Sequence, residues 1–205
     1  MFNINRQSMD SAANQPYSKS RNANADNVVY DHFKLSIANV IDTLKDLSIY
    51  DMAQWINNID RWIKNKTFKN TKTYGRGCIV FLDLGAQNFL YEPSYTHPGI
   101  IIAENKNMVL IVPCSSKKFS KKIPGIINAT PADGFISNTG VQVDSLRWVS
   151  KNRIISTVGQ ISNNILNQID RYILDITPTH TKEIMELKSE NARLQRELDR
   201  LHESL

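Results

Sequence analysis

The sequence predicts an α+β protein: a small, mostly antiparallel β unit between helices, with a coiled-coil helix at its C-terminal end. Three observations predict it. Apolar residues recur at helical spacing over 31–66, they then gather into short β-type runs between 78 and 149, and leucines repeat every seventh position from 187 to 201.

Residues 1–30 are rich in Asn, Ser, Gln and Ala and poor in large apolar side chains. Such a segment does not offset the entropy of ordering, so a disordered polar tail is expected there. From Asp31, the candidate cap, to about Lys45, the residues Phe33, Ile37, Val40, Ile41 and Leu44 share one helical face. Ser48 and Asp51 form a capping pair for a second helix reaching about Lys66, with the stripe Met52, Trp55, Ile56, Ile59, Trp62 and Ile63. A helical hairpin over 31–73 follows, its tryptophans serving core packing in the ordinary case and a partner groove in the other.

Beyond Lys72 the period changes. Cys78 to Leu84, Gly99 to Ala103, Met108 to Pro113, Ile123 to Asn128 and Val141 to Val149 read as strands divided by Gly, Asn, Pro and Lys. Ser162 caps a helix with Ile165, Leu166, Ile169, Tyr172 and Ile173 on one face, ending before Thr177-Pro178. The β unit with this helix is expected to occupy 74–176.

Over 177–205, Ile184, Asn191, Leu198 and Leu205 take a positions and Leu187, Leu194 and Leu201 take d positions of a heptad repeat. Asn191 at an a position pairs with itself across a parallel two-stranded coil, which predicts a parallel dimer. The other reading is a single helix packed back on the globular unit. No basic region precedes the heptads, which argues against a zipper-type DNA reader.

Composition narrows the class. The chain has 205 residues, 41% of them hydrophobic and 22% charged, and no apolar run approaches a membrane span. No secretory h-region stands at the N-terminus, so a cytoplasmic protein is expected. Cys78 and Cys114 lie inside apolar runs and predict buried thiols, and no cluster of metal ligands is evident; neither metal nor cofactor is expected. The net charge of +5 sits mostly in 74–175, with 10 basic and 7 acidic residues, and suits a polyanionic partner.

Five ordered segments carry a resemblance. Arg76-Gly77-Cys78-Ile79-Val80-Phe81-Leu82-Asp83-Leu84 resembles the R-G-x-I-x-x-x-D-L opening strand of the MazF/PemK toxins. Thr96-His97-Pro98-Gly99-Ile100-Ile101-Ile102 resembles their R-P strand, and Ile111-Val112-Pro113-Cys114-Ser115-Ser116 their V-P-x-T segment. Gln142-Val143-Asp144-Ser145-Leu146 and Ile154-Ile155-Ser156-Thr157-Val158-Gly159 resemble the two segments before the last helix. The resemblance covers about 74–175. It implies a small SH3-like antiparallel β barrel (MazF/PemK/CcdB-like), a homodimer, and an endoribonuclease toxin that cuts single-stranded RNA and is silenced by a cognate antitoxin. The same fold also carries gyrase poisons, so the site has to decide the chemistry.

Metal-free RNA cleavage needs a base for the 2′-OH proton, donors for the phosphorane charge and an acid for the leaving 5′ oxygen, and it leaves 2′,3′-cyclic phosphate and 5′-OH ends. The resemblance places the family's Arg at His97 and its Thr at Ser115. Ser115 keeps a donating hydroxyl. His97 loses the bidentate guanidinium but titrates near neutrality, which allows either cleavage by histidine chemistry or a non-catalytic binding module that recruits through its coiled coil. A turn residue held extended by Pro98 is the plain alternative for His97. Arg76 is a candidate for the missing charge.

RNA-binding candidates are Ser116, Lys117 and Lys118, with Lys121, Lys122 and Phe119 beside them, and Gln142 and Asp144 are weaker ones for base-edge contacts. Tyr91 and Tyr95, with Phe89 in the loop Gly85 to Thr96, either stack on bases or tuck against the barrel. The front helices are either an antitoxin-like element in cis or a flank that stabilises the dimer.

Overall fold

The computed structural model describes residues 2–203. The chain divides into two compact units that meet between Ile56 and Asn57.

In the first unit, part of the segment expected to be disordered is helical: α1 spans Arg6–Ala13 and is capped by Asn5, whose Oδ1 accepts from Ser8 N at 3.1 Å. Helix α2 (Asn27–Leu44) starts ahead of the expected Asp31, because Asp26 is the cap and accepts from Val29 N at 3.1 Å. Asp31 instead pairs with Lys34 on the helix surface. Helix α3 (Ile49–Asn65) begins as its sequence predicts, with Ser48 Oγ accepting from Asp51 N at 3.1 Å. The apolar stripes do not form the expected core. Phe33, Ile37 and Ile41 on α2 and Ile56, Trp62 and Ile63 on α3 stay exposed, and the one buried residue of the two helices is the polar Asn58.

The unit boundary falls inside α3 rather than at residue 73 because the end of α3 and the segment after it are bonded to the sheet unit. Asn152 Nδ2 donates to the carbonyls of Asn65 and Phe68, and Asn70 Nδ2 donates to that of Lys151 at 2.9 Å. Lys151 is itself buried, bonded to Glu104 and to the carbonyl of Lys72.

The second unit is built on seven antiparallel strands: β1 (Cys78–Asp83), β2 (Thr96–Asn105), β3 (Met108–Ser115), β4 (Ile126–Ala129), β5 (Thr139–Gln142), β6 (Arg147–Ser150) and β7 (Ile154–Gln160). Their order is β4-β5-β3-β2-β1-β7, with β6 also on β3. Ile79, Ile100, Val112, Cys114 and Val141 pack in a core with Ile165, Leu166 and Ile169 of helix α4 (Asn163–Asp175). Val80, Leu82, Ile101, Val109 and Ile111 pack in a second core with Tyr74 and Val149. Burial on both faces is why these strands read as near-continuous apolar runs instead of alternating.

Two strand boundaries differ from the sequence reading. The run Val141 to Val149 is two strands, broken by a 3-10 turn over Val143–Ser145 in which Leu146 N donates to Val143 O at 3.2 Å. The break lets β5 pair with the end of β3, Cys114 opposite Val141, while β6 pairs with its start, Met108 opposite Ser150. β4 starts at Ile126 because the preceding Gly125 is left-handed, φ 85°, and turns the chain.

Helix α4 is capped by Ser162 as predicted, Ile165 N donating to its Oγ at 3.4 Å. Helix α5 (Pro178–Glu203) runs unbroken over 26 residues. Its leucines at 187, 194, 198 and 201 are all exposed, the least of them, Leu198, at 49%, so α5 does not pack back on the sheet unit. Leu205, the last heptad position, lies outside the described residues. No helix among the described residues is long and apolar enough to cross a membrane.

Candidate active site

Strands β2 and β3 bring His97 and Ser115 to one place. The pairing of β2 with β3 runs to Gly99 opposite Pro113; His97, two residues before it, pairs with Leu82 of β1, and Ser115, two residues after Pro113, pairs with Gly140 of β5. The His97 ring is anchored by Nδ1, 3.2 Å from the carbonyl oxygen of Cys114. A carbonyl only accepts, so in the neutral ring the Nδ1 that faces Cys114 carries the proton. Burial lowers the imidazole below its ordinary value. The carbonyls of Cys114 and Ser94 oppose that shift, and the charge of Lys117 adds to it. The lowering favours the neutral imidazole, the form a general base requires.

Ser115 ends β3, is buried, and pairs with Gly140 of β5. The chain then makes a tight 3-10 turn over Ser116–Lys118. This turn lies so close to β5 that a Cβ on Gly140 would stand 2.6 Å from the backbone of Lys118, so the position requires glycine. Ser116, Lys117, Lys121 and Lys122 are exposed just beyond Ser115, which gives this strand end a positive border. Gln142 lies on β5 and is buried, as Ser115 is.

The loop between β1 and β2 is pinned at its base and free at its tip. Leu84 N donates to Tyr95 O at 2.7 Å and Tyr95 N to Gly85 O at 2.6 Å, while Asn88 Nδ2 bridges the Leu84 and Pro93 carbonyls. Tyr95 is left-handed, φ 66°, and half-buried. Phe89, Leu90 and Tyr91 project almost fully into solvent, so Tyr91 does not tuck against the sheet and Tyr95 does not present a free ring.

Arg76 is not part of this constellation. Its guanidinium is paired with Asp170 of α4 and donates to Ile102 O at 3.2 Å. Ile102 is five residues along β2 from His97, about 16 Å at the rise of a strand. Arg76 therefore does not supply the charge that His97 lacks. It closes the far end of β1.

The structure adds a group that sequence reasoning missed. Asp83, at the end of β1, is buried and accepts from Asn58 Nδ2, from Arg61 Nε at 2.7 Å and from the amide two residues on, Gly85 N, at 3.0 Å. Arg61 Nη2 also donates to Thr96 Oγ1 at 3.0 Å, and Arg153 Nη1 to Asp83 O at 3.1 Å. Thr96 pairs with Asp83 and precedes His97, and strand alternation turns the two side chains to opposite faces. The available signal was Asp83 itself, a carboxylate closing an apolar run, which needs a partner when buried.

Both cysteines are buried free thiols. Desolvation raises both, Cys114 most, so neither is a ready thiolate. Among the described residues no group of three or more His, Cys, Asp or Glu side chains is arranged to hold a metal ion.

Comparison with protein families matches residues 75–177 to the PemK-like, MazF-like toxin of type II toxin-antitoxin systems. Comparison with curated proteins finds no match. Among solved structures, MazF from Deinococcus radiodurans is similar at 15% identity and TM-score 0.45, over 52% of this chain and 98% of that one. An endoribonuclease from Mycobacterial species in complex with its cognate antitoxin is similar at 19% identity and TM-score 0.40, over 50% of this chain and 93% of that one. Half of the chain, holding every strand described above and helix α4, matches the family, and the protein belongs to the PemK-like, MazF-like toxins of type II toxin-antitoxin systems.

Proposed function

We propose that this toxin is an endoribonuclease that cleaves single-stranded RNA without a metal, with His97 as base and Ser115 as phosphate donor. The observation that supports the reading is the His97 ring at the start of β2, held through Nδ1 against the carbonyl of Cys114, the residue before Ser115. Nε2 takes the proton of the 2′-OH, and the 2′ oxygen forms its bond to phosphorus. Ser115 and the lysines beyond it meet the charge on the phosphorane oxygens. The bond to the 5′ oxygen breaks, that oxygen takes a proton from water, and the products carry 2′,3′-cyclic phosphate and 5′-OH ends.

Two further parts complete the reading. The exposed leucines of α5, with Asn191 among them, support a parallel coiled coil that holds two copies of the chain together in the cytoplasm. A cognate antitoxin is the silencing partner, on the family's pattern.

A second reading is a binding module on the same fold that has lost cleavage, and the observation in its favour is that Arg76 is turned away to Asp170. One assay separates them. Purified protein is incubated with a long single-stranded RNA in EDTA, and new ends are mapped for wild type, His97→Ala and Ser115→Ala. Site-specific 5′-OH ends that disappear in both variants support the enzyme; intact RNA with measurable binding supports the module.

A further inference from the structure

On the Asp83 face of the sheet unit, away from the His97 side chain, lies a cavity of about 820 Å³. The end of α3, the base of the loop after β1 and the corner before β7 line it. Its size is that of a pocket for one small organic ligand.

Its lining is unusual in three ways. Trp62 offers an indole that is more than half exposed, with Lys66 Nζ 5.0 Å from the ring centroid over one face. Asp83 is the one carboxylate of the lining, and Arg61 and Asn58 already hold it. Lys66 and Arg153 therefore bring positive charge to the cavity with no anion of the lining to answer it, and the amides of Asn65 and Gln87 stand beside them. An aromatic face, two cations and free amides in one cleft are the parts that recognise a nucleobase joined to a phosphate.

We propose that this cavity binds a nucleotide: its base stacks on the open face of Trp62, its phosphate lies between Lys66 and Arg153, and Asn65 and Gln87 meet the base edge. Trp62, Lys66 and Asn65 lie outside the residues that match the family, so this site is an addition made by α3 to the toxin fold. It does not depend on cleavage at His97. A free mononucleotide and one nucleotide of an RNA strand present the same chemistry, and binding distinguishes them.

The test uses the full chain with Trp55→Phe and Trp148→Phe, which leaves Trp62 as its single indole, and with His97→Ala so that RNA stays intact. Trp62 emission is followed while a single-stranded ribonucleotide hexamer or, separately, AMP, UMP, GMP and CMP is added. Saturable quenching is expected, weakening with salt, and Trp62→Ala added to the His97→Ala chain should bind a fluorescein-labelled hexamer roughly 5-fold to 100-fold more weakly than His97→Ala does. Lys66→Ala and Arg153→Ala should shift the quenching curve to higher ligand concentration while circular dichroism stays that of the parent. Quenching by the hexamer alone assigns the site to an RNA strand, and quenching by mononucleotides assigns it to free nucleotide. Emission that no ligand changes, in a protein with an unaltered melting curve, overturns the proposal even if the wild-type chain cuts RNA. Quenching in a chain whose wild-type form cuts nothing leaves this site standing and removes the nuclease reading instead.

Discussion

Arg61 and Asp83 are joined by an ion pair, Nε to Oδ2 at 2.7 Å, and the same guanidinium reaches Thr96, so one side chain of α3 ties the end of β1 to the start of β2. The Asp83 side chain keeps 7% of its surface and Arg61 keeps 30%, so the pair sits largely out of water. Asp83→Ala should lower stability by about 3 kcal/mol, the low end for breaking a buried pair, as a lower midpoint in urea unfolding. The loop after β1 should also be cut faster by protease, because both of its ends lose an anchor. A midpoint unchanged from wild type would show that the pair holds nothing.

The buried Lys151 gives a second test, through pH. Burial pushes the Glu104 carboxyl up, but hydrogen bonds from Lys151 and from the Tyr74 amide outweigh it and hold the group below its usual range. The stabilisation from a depressed carboxyl is complete above the unfolded value, about 4.3, and is lost as pH falls through the folded value. Melting temperature should drop steeply with acid below about pH 4.3 in the wild type, and less steeply in Lys151→Met, where the depressing partner is gone.

Activity should carry the signature of His97. With its imidazole lowered, cleavage should rise with pH to a plateau already reached at neutrality, its midpoint below the ordinary value of about 6.5. His97→Ala should lose about 10²-fold to 10⁴-fold in rate and with it that limb of the profile. Ser115→Ala should lower the plateau about 10²-fold and leave the midpoint in place. A midpoint that stays put in His97→Ala would assign the base elsewhere.

Sedimentation reads the α5 stripe. Leu194→Lys places a charge at a d position and should convert a dimer held by the coiled coil into monomer, while the far-ultraviolet signal of the sheet unit is retained. A variant that sediments with wild-type mass would move the self-association to another surface.

At Gly140 the expected effect is structural first. Ala there would meet the Lys118 backbone, and relieving that overlap should cost about 1 to 3 kcal/mol and shift the turn after Ser115. Thermal unfolding of Gly140→Ala gives the first quantity, and amide protection from hydrogen exchange at 116–118 gives the second.

The kinds of most elements were legible in local pattern, α1 and the break at Val143 excepted. Ser48 and Ser162 cap helices where the capping rule places them, and the runs opening at Cys78 and Met108 are strands. His97 and Ser115 became candidates through the motifs they share with the family, and the His97 ring reaches the carbonyl of Cys114, beside Ser115.

Tertiary structure decided what depends on residues far apart in the chain. It turned Arg76 to Asp170, buried Gln142 and split the run at Val143, because each outcome is set by a partner about 15 to 95 positions away, to which local spacing is blind. It also left the apolar stripes of α2, α3 and α5 open. Periodicity states that a face is apolar and says nothing of what covers it. The sequence by itself determined most of the helices and strands and named 97 and 115 as candidates; the fold alone decided which charges meet, because a buried carboxylate such as Asp83 takes whichever donors packing brings to it.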